Sequence, residues 1–158
     1  MVEKLGVDVG GVITEGGNEM FTEQFLLAKQ MEGAFDALTK LQSRFGDRIY
    51  VVSKCGVRMQ QKTVEWMNHH RFEHYTGIPR NQVEFCLERY QKGGIAERLG
   101  LTHFIDDRLE ILGCLPEMVA TRILFRPKPA EVKRFERFLD SRVHQVQGWN
   151  DVLKLLLP

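Results

Sequence analysis

The sequence is poor in the features that mark secreted, membrane and nucleic-acid-binding proteins. Its three cysteines are widely separated and form no CxxC pair, which favours free thiols in a reducing compartment over a disulfide framework. No stretch reaches the ~20 apolar residues of a membrane span, and the charged N-terminus lacks an apolar run of signal-peptide length. Lysine and arginine total 22 against 21 acidic residues, so net charge gives no reason to expect nucleic acid. We therefore expect a cytoplasmic protein without membrane or nucleic-acid partners.

Short apolar runs alternate with helical patterns along the chain. The runs KLGVDV, RIYVVS, THFIDD and ATRILF are typical of buried strands. Helical spacing of apolar residues predicts a broken helix over 21–45 interrupted at Gly33, and further helices in 56–70, 81–90, 93–100, 130–142 and 149–157. This alternation predicts an α/β three-layer sandwich with a mainly parallel sheet, and the length fits a single domain over 1–158.

Three of the four predicted strands end in residues that can do chemistry. These are Asp8, Ser53 and the pair Asp106 and Asp107. Because the carboxyl ends of parallel strands lie along one edge of a sheet, residues far apart in sequence can converge there on one site. Carboxylates that share a site repel one another unless a cation lies among them, and an all-oxygen ligand set suits Mg²⁺. The pattern therefore predicts a magnesium site for phosphate chemistry.

Each residue of this set has a chemical role to offer. Asp8 enters a glycine loop and is the candidate nucleophile, which would attack phosphorus to form an aspartyl-phosphate. Backbone N–H groups of that loop, Gly11 among them, can point at a phosphate, and Ser53 can hydrogen-bond a phosphoryl oxygen. Lys92 precedes the third predicted strand and is the candidate cation for the phosphoryl group, with Lys54 as its rival.

These residues also have purely structural interpretations. Asp8 alone could be a turn carboxylate, and Asp106 with Asp107 could cap the next helix. The stretch GVDVGG does not match GxGxxG, and the spacing of Gly11 and Gly16 is not followed by the lysine of a nucleotide P-loop. Two further segments raise the possibility of a zinc site and of a nucleic-acid-binding surface, and neither is favoured.

Those further segments have simpler explanations. His69, His70 and His74 lack a second pair of ligands, so a helix end explains them better than zinc does. The locally basic stretch RPKPAEVKRFERF is interpreted as a solvated helix face, because the chain as a whole is close to neutral.

The ordered motif set resembles that of the haloacid dehalogenase-like hydrolase superfamily. The matching pieces are LGVDVGGVIT, YVVSK, a lysine such as Lys92, and HFIDDR, which together cover Lys4 to about Phe125. The resemblance implies a Rossmann-like sheet, dependence on Mg²⁺ and phosphoryl transfer through Asp8. It also implies that Asp106 is a direct metal ligand, that Asp107 contacts the metal or its waters, and that the backbone carbonyl of Gly10 is a further ligand.

The sequence departs from this family at Gly10, where its phosphatases usually carry a second aspartate that acts as general acid and base. Glu15 in the following loop is the candidate substitute. The departure predicts a slow phosphohydrolase, with two alternatives: an inactive scaffold that binds phosphate, Mg²⁺ or a protein partner, and a phosphotransferase with a long-lived aspartyl-phosphate.

The segments that carry cap domains in this family are short here. Fewer than 40 residues separate the first two motifs. We therefore expect no large cap domain, and the resemblance then implies an open site, as in members that act on large or macromolecular phosphorylated substrates. Association of subunits can also close such a site, but the sequence does not define the oligomeric state.

Overall fold

The protein is built on one parallel sheet. The computed structural model describes residues Met1 to Pro158. Its six strands are β1 (Leu5–Val7), β2 (Ile49–Lys54), β3 (Val83–Cys86), β4 (His103–Asp106), β5 (Thr121–Phe125) and β6 (Val143–Val146). They lie in the order β3-β2-β1-β4-β5-β6, and every pair is parallel. The predicted Rossmann-like α/β class is confirmed, and the strand order reverses between β1 and β4.

Seven helices cover the two faces of the sheet. They are α1 (Ala34–Phe45), α2 (Val57–His69), α3 (Phe72–Thr76), α4 (Gln91–Leu99), α5 (Leu109–Gly113), α6 (Pro129–Arg134) and α7 (Trp149–Leu156). Helix α1 contacts α3 and α7, and α2 contacts α3, while α4 packs on β2 and β3 and α5 packs on β4 and β5. The elements between the first two strands, and between β2 and β3, are short helices and turns that form no large cap domain.

Two apolar cores join the sheet to these layers. The larger contains Val7, Val51 and Ile105 of the central strands, together with side chains of α1, α2 and α7. The smaller contains Phe104 and Leu124, packed with side chains of α4 and α5. Because both faces of the strands are buried, their sequences are nearly continuous apolar runs, which is why they could be predicted.

The helix predicted over 81–90 is wrong, because Val83–Cys86 forms the edge strand β3. Val83 and Cys86 are buried, while Glu84 and Phe85 between them are half-buried. A run of four residues is too short for hydrophobic spacing to separate a strand from a helix. The helix that does form here begins at Gln91.

Two further boundaries differ from the predictions. The helix expected over 130–142 ends at Arg134 and is followed by a 3₁₀ turn, and Val143–Val146 adds an edge strand that had no clear apolar pattern. The broken helix expected over 21–45 is α-helical only from Ala34, and 3₁₀ turns precede it. The predicted break at Gly33 is confirmed by its left-handed backbone.

None of the helices combines the length and the apolar character needed to cross a bilayer.

Helix α4 packs closely against the end of α5. A Cβ atom at Gly93 would lie 2.7 Å from the backbone carbonyl oxygen of Cys114, whereas one at Gly94 would meet nothing within 4 Å. Real Cβ atoms do not approach backbone that closely, so the packing of α4 depends on the missing side chain at Gly93. The same helix carries Lys92.

This contrast predicts opposite effects for one substitution at neighbouring positions. Gly94→Ala should stabilise the protein by about 0.5–1 kcal/mol, because alanine loses less backbone entropy in a helix. Gly93→Ala should destabilise it by about 1–3 kcal/mol through overpacking. Urea denaturation of the two variants measures both effects, and equal stability of the two would contradict the close approach.

Candidate functional site

Two strand ends at the centre of the sheet bring the candidate site together. Asp8 directly follows β1, and its amide donates to the carbonyl of Ile105 at 3.0 Å, which continues the pairing with β4. Asp106 is the last residue of β4, Asp107 follows it, and Ser53 lies near the end of β2. Since β2, β1 and β4 are neighbours, these side chains share the edge where the strand order reverses.

Lys92 joins the two central carboxylates. Its Nζ donates to Asp8 Oδ1 and to Asp106 Oδ2, each at 2.8 Å. Lys92 is 1% exposed and Asp106 is 0% exposed, so both charges lie inside the protein. Burial by itself lowers the pKa of Lys92, but the charges of Asp106 and Asp8 outweigh it and raise that pKa above its ordinary value. The ammonium group is therefore charged at neutral pH.

The turn before α4 positions this lysine. The side-chain oxygen of Gln91, the first residue of α4, accepts hydrogen bonds from the amides of Leu87 and Glu88 at 3.0 and 2.9 Å. These bonds satisfy two amides of the turn and hold it against the first residue of the helix. Lys92 follows Gln91, so its direction is set by a fixed helix start.

Three carboxylates meet beside this lysine. Asp8, Asp106 and Asp107 each offer an oxygen atom, and these atoms lie within 4.8 Å of one another. Asp106 Oδ1 also accepts from the amide of Arg108 at 3.0 Å. Burial raises the pKa of Asp106 well above its usual value, and the charge of Asp8 adds to this against the opposing charge of Lys92. Burial and Asp8 likewise raise the pKa of Asp107 to about 6.

When ionised, the three carboxylates carry three negative charges, of which Lys92 offsets one. A divalent cation among their oxygens would remove this repulsion, and hard oxygen ligands are those that such cations prefer. The residues present therefore fit a divalent metal ion.

A glycine loop follows Asp8. The amide of Gly11 donates to the carbonyl of Thr14 at 3.0 Å, and Gly11 has a positive φ of 79°. A Cβ atom there would lie 2.5 Å from Asp107 Oδ2, so any other residue would displace this carboxylate. Gly10 is different, because a Cβ atom at that position would meet nothing within 4 Å and its backbone is not in the left-handed region.

Residues at and after the end of β2 form another wall of the cleft that contains Asp8. Ser53 is buried, Lys54 is exposed, and both line the same cleft as Asp8, as does Cys55. Burial raises the pKa of the Cys55 thiol, which keeps it protonated at neutral pH. Lys92 and not Lys54 contacts the carboxylates.

The cleft above the carboxylates has a volume of about 710 Å³ and a cationic wall that the sequence analysis missed. Besides Lys54 and Lys92, its cationic residues are Arg89, Arg108, Arg126 and Lys128. Arg126 and Lys128 belong to the stretch interpreted as a solvated helix face; both are exposed, but they precede α6 and line the cleft. They follow β5, whose carboxyl end lies at the same edge as Asp8. The strand-end rule that predicted Asp8 would have found them.

The histidine segment makes structural contacts. His70 Nε2 lies 2.8 Å from the carbonyl oxygen of Leu26, and its ring stacks on Trp66 with 4.2 Å between ring centroids. His70 thus ties α2 to the 3₁₀ turn that precedes α1. The metal-ligand cluster of the molecule is the carboxylate group described above.

Comparison with known proteins places this architecture among solved structures. No protein-family model and no curated protein matches the chain. A D,D-heptose 1,7-bisphosphate phosphatase of B. bronchiseptica, complexed with magnesium and phosphate, matches with a TM-score of 0.68 at 14% identity, covering 98% of each chain. A cobalt-bound deoxy-D-mannose-octulosonate 8-phosphate phosphatase of Haemophilus influenzae has a TM-score of 0.56 at 16% identity, covering 99% of this chain and 87% of that one.

A third structure extends the comparison to a longer protein. A haloacid dehalogenase-like hydrolase of Burkholderia xenovorans has a TM-score of 0.60 at 18% identity over 87% of this chain, which spans 63% of the length of that one. The solved structures that this chain resembles are thus haloacid dehalogenase-like hydrolases. The chain has their fold, as the resemblance in its motifs predicted.

The raised carboxyl pKa values predict that the metal-free protein loses stability as pH rises. Between the usual carboxyl pKa of about 4 and about 6, native Asp107 holds a proton that the unfolded chain releases, so the free energy of unfolding falls with increasing pH. Asp106 acts in the same direction. Burial lowers the pKa of His103, which acts in the opposite direction, so the contribution of Asp107 is measured by comparing urea midpoints of the wild type and Asp107→Asn in chelator across this interval.

The decrease that Asp107 contributes should be lost in Asp107→Asn and kept in the control Asp47→Asn, whose side chain is 92% exposed. The same pH dependence in the wild type and in Asp107→Asn would contradict the assignment.

Proposed function

We propose that the protein is a Mg²⁺-dependent phosphohydrolase that acts through an aspartyl-phosphate on Asp8. The observation that carries the proposal is the buried Lys92 ammonium, 2.8 Å from both Asp8 and Asp106, at the reversal point of the sheet. Ser53 lies beside it at the next strand end. Support also comes from the shared fold of solved phosphatases, one of them complexed with magnesium and phosphate.

The reaction assigned to these residues has two displacements. A carboxylate oxygen of Asp8 forms a bond to phosphorus while the bond from phosphorus to the leaving oxygen breaks, and that oxygen keeps the electron pair. Water then attacks phosphorus and passes a proton to solvent, which also protonates the departed oxygen, and the bond to Asp8 breaks to release inorganic phosphate and the Asp8 carboxylate. Lys92 and Ser53 bind the phosphoryl oxygens through both displacements, whereas the amide of Gly11, the other candidate donor, is held by the carbonyl of Thr14.

The metal ligands in this proposal are Asp8, Asp106, Asp107 and the backbone carbonyl of Gly10. The set contains oxygen atoms only, which suits Mg²⁺. When bound, Mg²⁺ supplies positive charge to the phosphoryl oxygens. The cobalt-bound phosphatase of similar fold supports a divalent metal in general.

Gly10 limits the expected rate of this hydrolysis. It offers no side chain to protonate the leaving oxygen, and positioned acid–base catalysis is typically worth about 10²–10⁴ in rate. Esters whose leaving oxygen is stable as an anion need this proton least. We therefore infer slow turnover of alkyl phosphates and faster turnover of activated esters.

The proposed compartment and the proposed size of the substrate follow from the thiols and from the borders of the cleft. Cys55, Cys86 and Cys114 are free thiols, which suits a reducing compartment, and we assign the activity to the cytoplasm. The cleft is bordered by the glycine loop and α2 and not by a cap domain, so the proposal includes phosphate groups on large or macromolecular substrates.

The first test is hydrolysis of an activated aryl phosphate. Wild-type protein should hydrolyse it only with Mg²⁺, and Asp8→Asn should reduce the rate to background, because the carboxamide cannot attack phosphorus. The variant is purified in parallel to expose contaminating activity. Equal rates for the two proteins would refute the role of Asp8.

The second test restores the missing carboxylate. Gly10→Asp should increase hydrolysis of an alkyl phosphate by up to about 10²–10⁴, since the position has open space and an ordinary backbone conformation. Hydrolysis of the aryl phosphate should increase less, and Mg²⁺ affinity measured by calorimetry should stay the same. A rate that does not change, with unchanged metal affinity, would contradict the assignment of Gly10 as the missing acid.

Glu15 is the further carboxylate on the cleft wall, and it provides a control. If Glu15 supplies the proton in the wild type, Glu15→Gln lowers alkyl phosphate hydrolysis and Gly10→Asp restores it. If Glu15 has no part, Glu15→Gln leaves the rate unchanged.

The second candidate function is a silent scaffold that binds phosphate and Mg²⁺ without turnover. The specific observation in its favour is the missing carboxylate at Gly10. Such a protein would bind beryllium fluoride with Mg²⁺, show no hydrolysis in the wild type, and gain none in Gly10→Asp.

A further inference from the structure

Four cationic side chains on the cleft wall have no acidic partner. Arg89 is paired with Glu110 at 2.9 Å, but no carboxylate lies within ion-pair distance of the other four, which are Lys54, Arg108, Arg126 and Lys128. The guanidinium of Arg126 makes one hydrogen bond, to the sulfur of Met31 at 3.1 Å. Cations that converge on a cleft without partners are available to a ligand.

Two of these cations lie on one side of the carboxylates. Strand β5 pairs with β4, and Leu124 of β5 lies beside Asp106 in the register. Arg126 is therefore two residues beyond the level of Asp106 on the neighbouring strand, and Lys128 follows at the start of α6. Arg108 comes directly after the carboxylate pair Asp106 and Asp107 and lines the same cleft. Lys54 lies across the cleft, at the end of β2.

The backbone of Arg126 is held in an unfavourable conformation. Its φ is +48°, and the next residue is Pro127. A left-handed conformation is unfavourable for a residue with a side chain. The amide of Arg126 donates to the carbonyl of Val146 at 2.8 Å, which fixes this conformation. The strained turn places the guanidinium at the cleft, in the position where strain of this kind is often connected with function.

The charges of the cleft exceed what one phosphoryl group needs. Three carboxylates and Lys92 leave two negative charges, which a divalent cation would balance. The four unpaired cations then face a phosphoryl dianion, and Glu15 supplies one further negative charge. At least one positive charge remains, and two of the four cations, Arg126 and Lys128, lie together beyond the end of β5.

We propose that Arg126 and Lys128, with Arg108, bind a second anionic group of the substrate, which is a phosphate monoester that also carries a phosphate or a carboxylate. This inference rests on the proposed function for the identity of the first group. Guanidinium and ammonium groups recognise both anions, so the chemistry is shared and the experiment separates the two sources.

The test measures binding and not turnover. Mg²⁺-loaded Asp8→Asn protein is titrated in a calorimeter with flexible bisphosphates, from ethane-1,2-diol to hexane-1,6-diol bisphosphate, and with the alkyl monophosphates of matching length. The corresponding phosphorylated hydroxy acids form the carboxylate series. Flexible linkers of increasing length remove the need to know the distance between the two subsites.

We expect at least one member of a series to bind about tenfold or more tightly than its monophosphate, since hydrogen bonds to charged groups are strong. Arg126→Gln with Lys128→Gln should abolish this advantage. The matched control is Lys133→Gln with Arg134→Gln, which removes the same charge from exposed positions of α6 outside the cleft and should retain it. The series with the larger advantage identifies phosphate or carboxylate as the second group.

Three outcomes would overturn the inference: no advantage in either series, an advantage that survives the cleft double variant, or an equal loss in the control. The aryl phosphate assay keeps this separate from the proposed function. Hydrolysis without a bifunctional advantage refutes only the second anion site. A bifunctional advantage without any hydrolysis supports the second site and refutes only the enzyme.

Discussion

The buried Lys92 ammonium, shared by Asp8 and Asp106, is the contact on which the rest of the site depends. It joins α4 to the ends of β1 and β4 across separations of 84 and 14 residues. Moving such charges out of water costs several kcal/mol per ion, and their attraction repays this only when the geometry is good. An apolar side chain in place of Lys92 could fill the same space in a core. The presence of the charges in the centre of the fold is therefore better explained by chemistry than by stability.

This contact depends in turn on two glycines, which allow close packing because they have no side chain. Helix α4 reaches its position because Gly93 lies against the backbone of Cys114, and the carboxylate of Asp107 occupies the space that a Cβ atom of Gly11 would take. Both glycines are required by packing. Gly10 is not, since its backbone is ordinary and its surroundings are open. The fold would accept a carboxylate at Gly10, so packing does not require the absence of a side chain at this position.

Much of this arrangement could be predicted from the sequence, for physical reasons that also explain the errors. The central strands are buried on both faces and read as apolar runs, so the residues at their ends, Asp8, Ser53 and Asp106, could be assigned to one edge. The edge strands β3 and β6 have four residues each and half-exposed patterns, which carry too little signal. The burial of Lys92 could not be predicted, because it results from the close packing of α4, a contact between segments distant in sequence.

The cationic wall was missed for a different reason. Composition averages charge over the whole chain, and a nearly neutral total of 22 basic and 21 acidic residues conceals a local excess. That excess forms only when the ends of β2, β4 and β5 are brought to one edge, so its signal is in the topology and not in the composition. The residues after β5 were assigned to a solvated face because the average charge was applied to a local stretch.

The cationic wall and Gly10 together constrain the substrate from two directions. In the proposed reaction, positive charge at the cleft would stabilise the phosphoryl group and any second anion, but it would not deliver a proton to the leaving oxygen. The substrate expected from this proposal has a leaving oxygen that is stable as an anion, while its remaining negative charge gives the binding energy. A site that binds anions strongly but transfers protons poorly distinguishes substrates by their charge better than it turns them over. In this proposal, strong anion binding and weak proton transfer both follow from the side chains at one edge of the sheet.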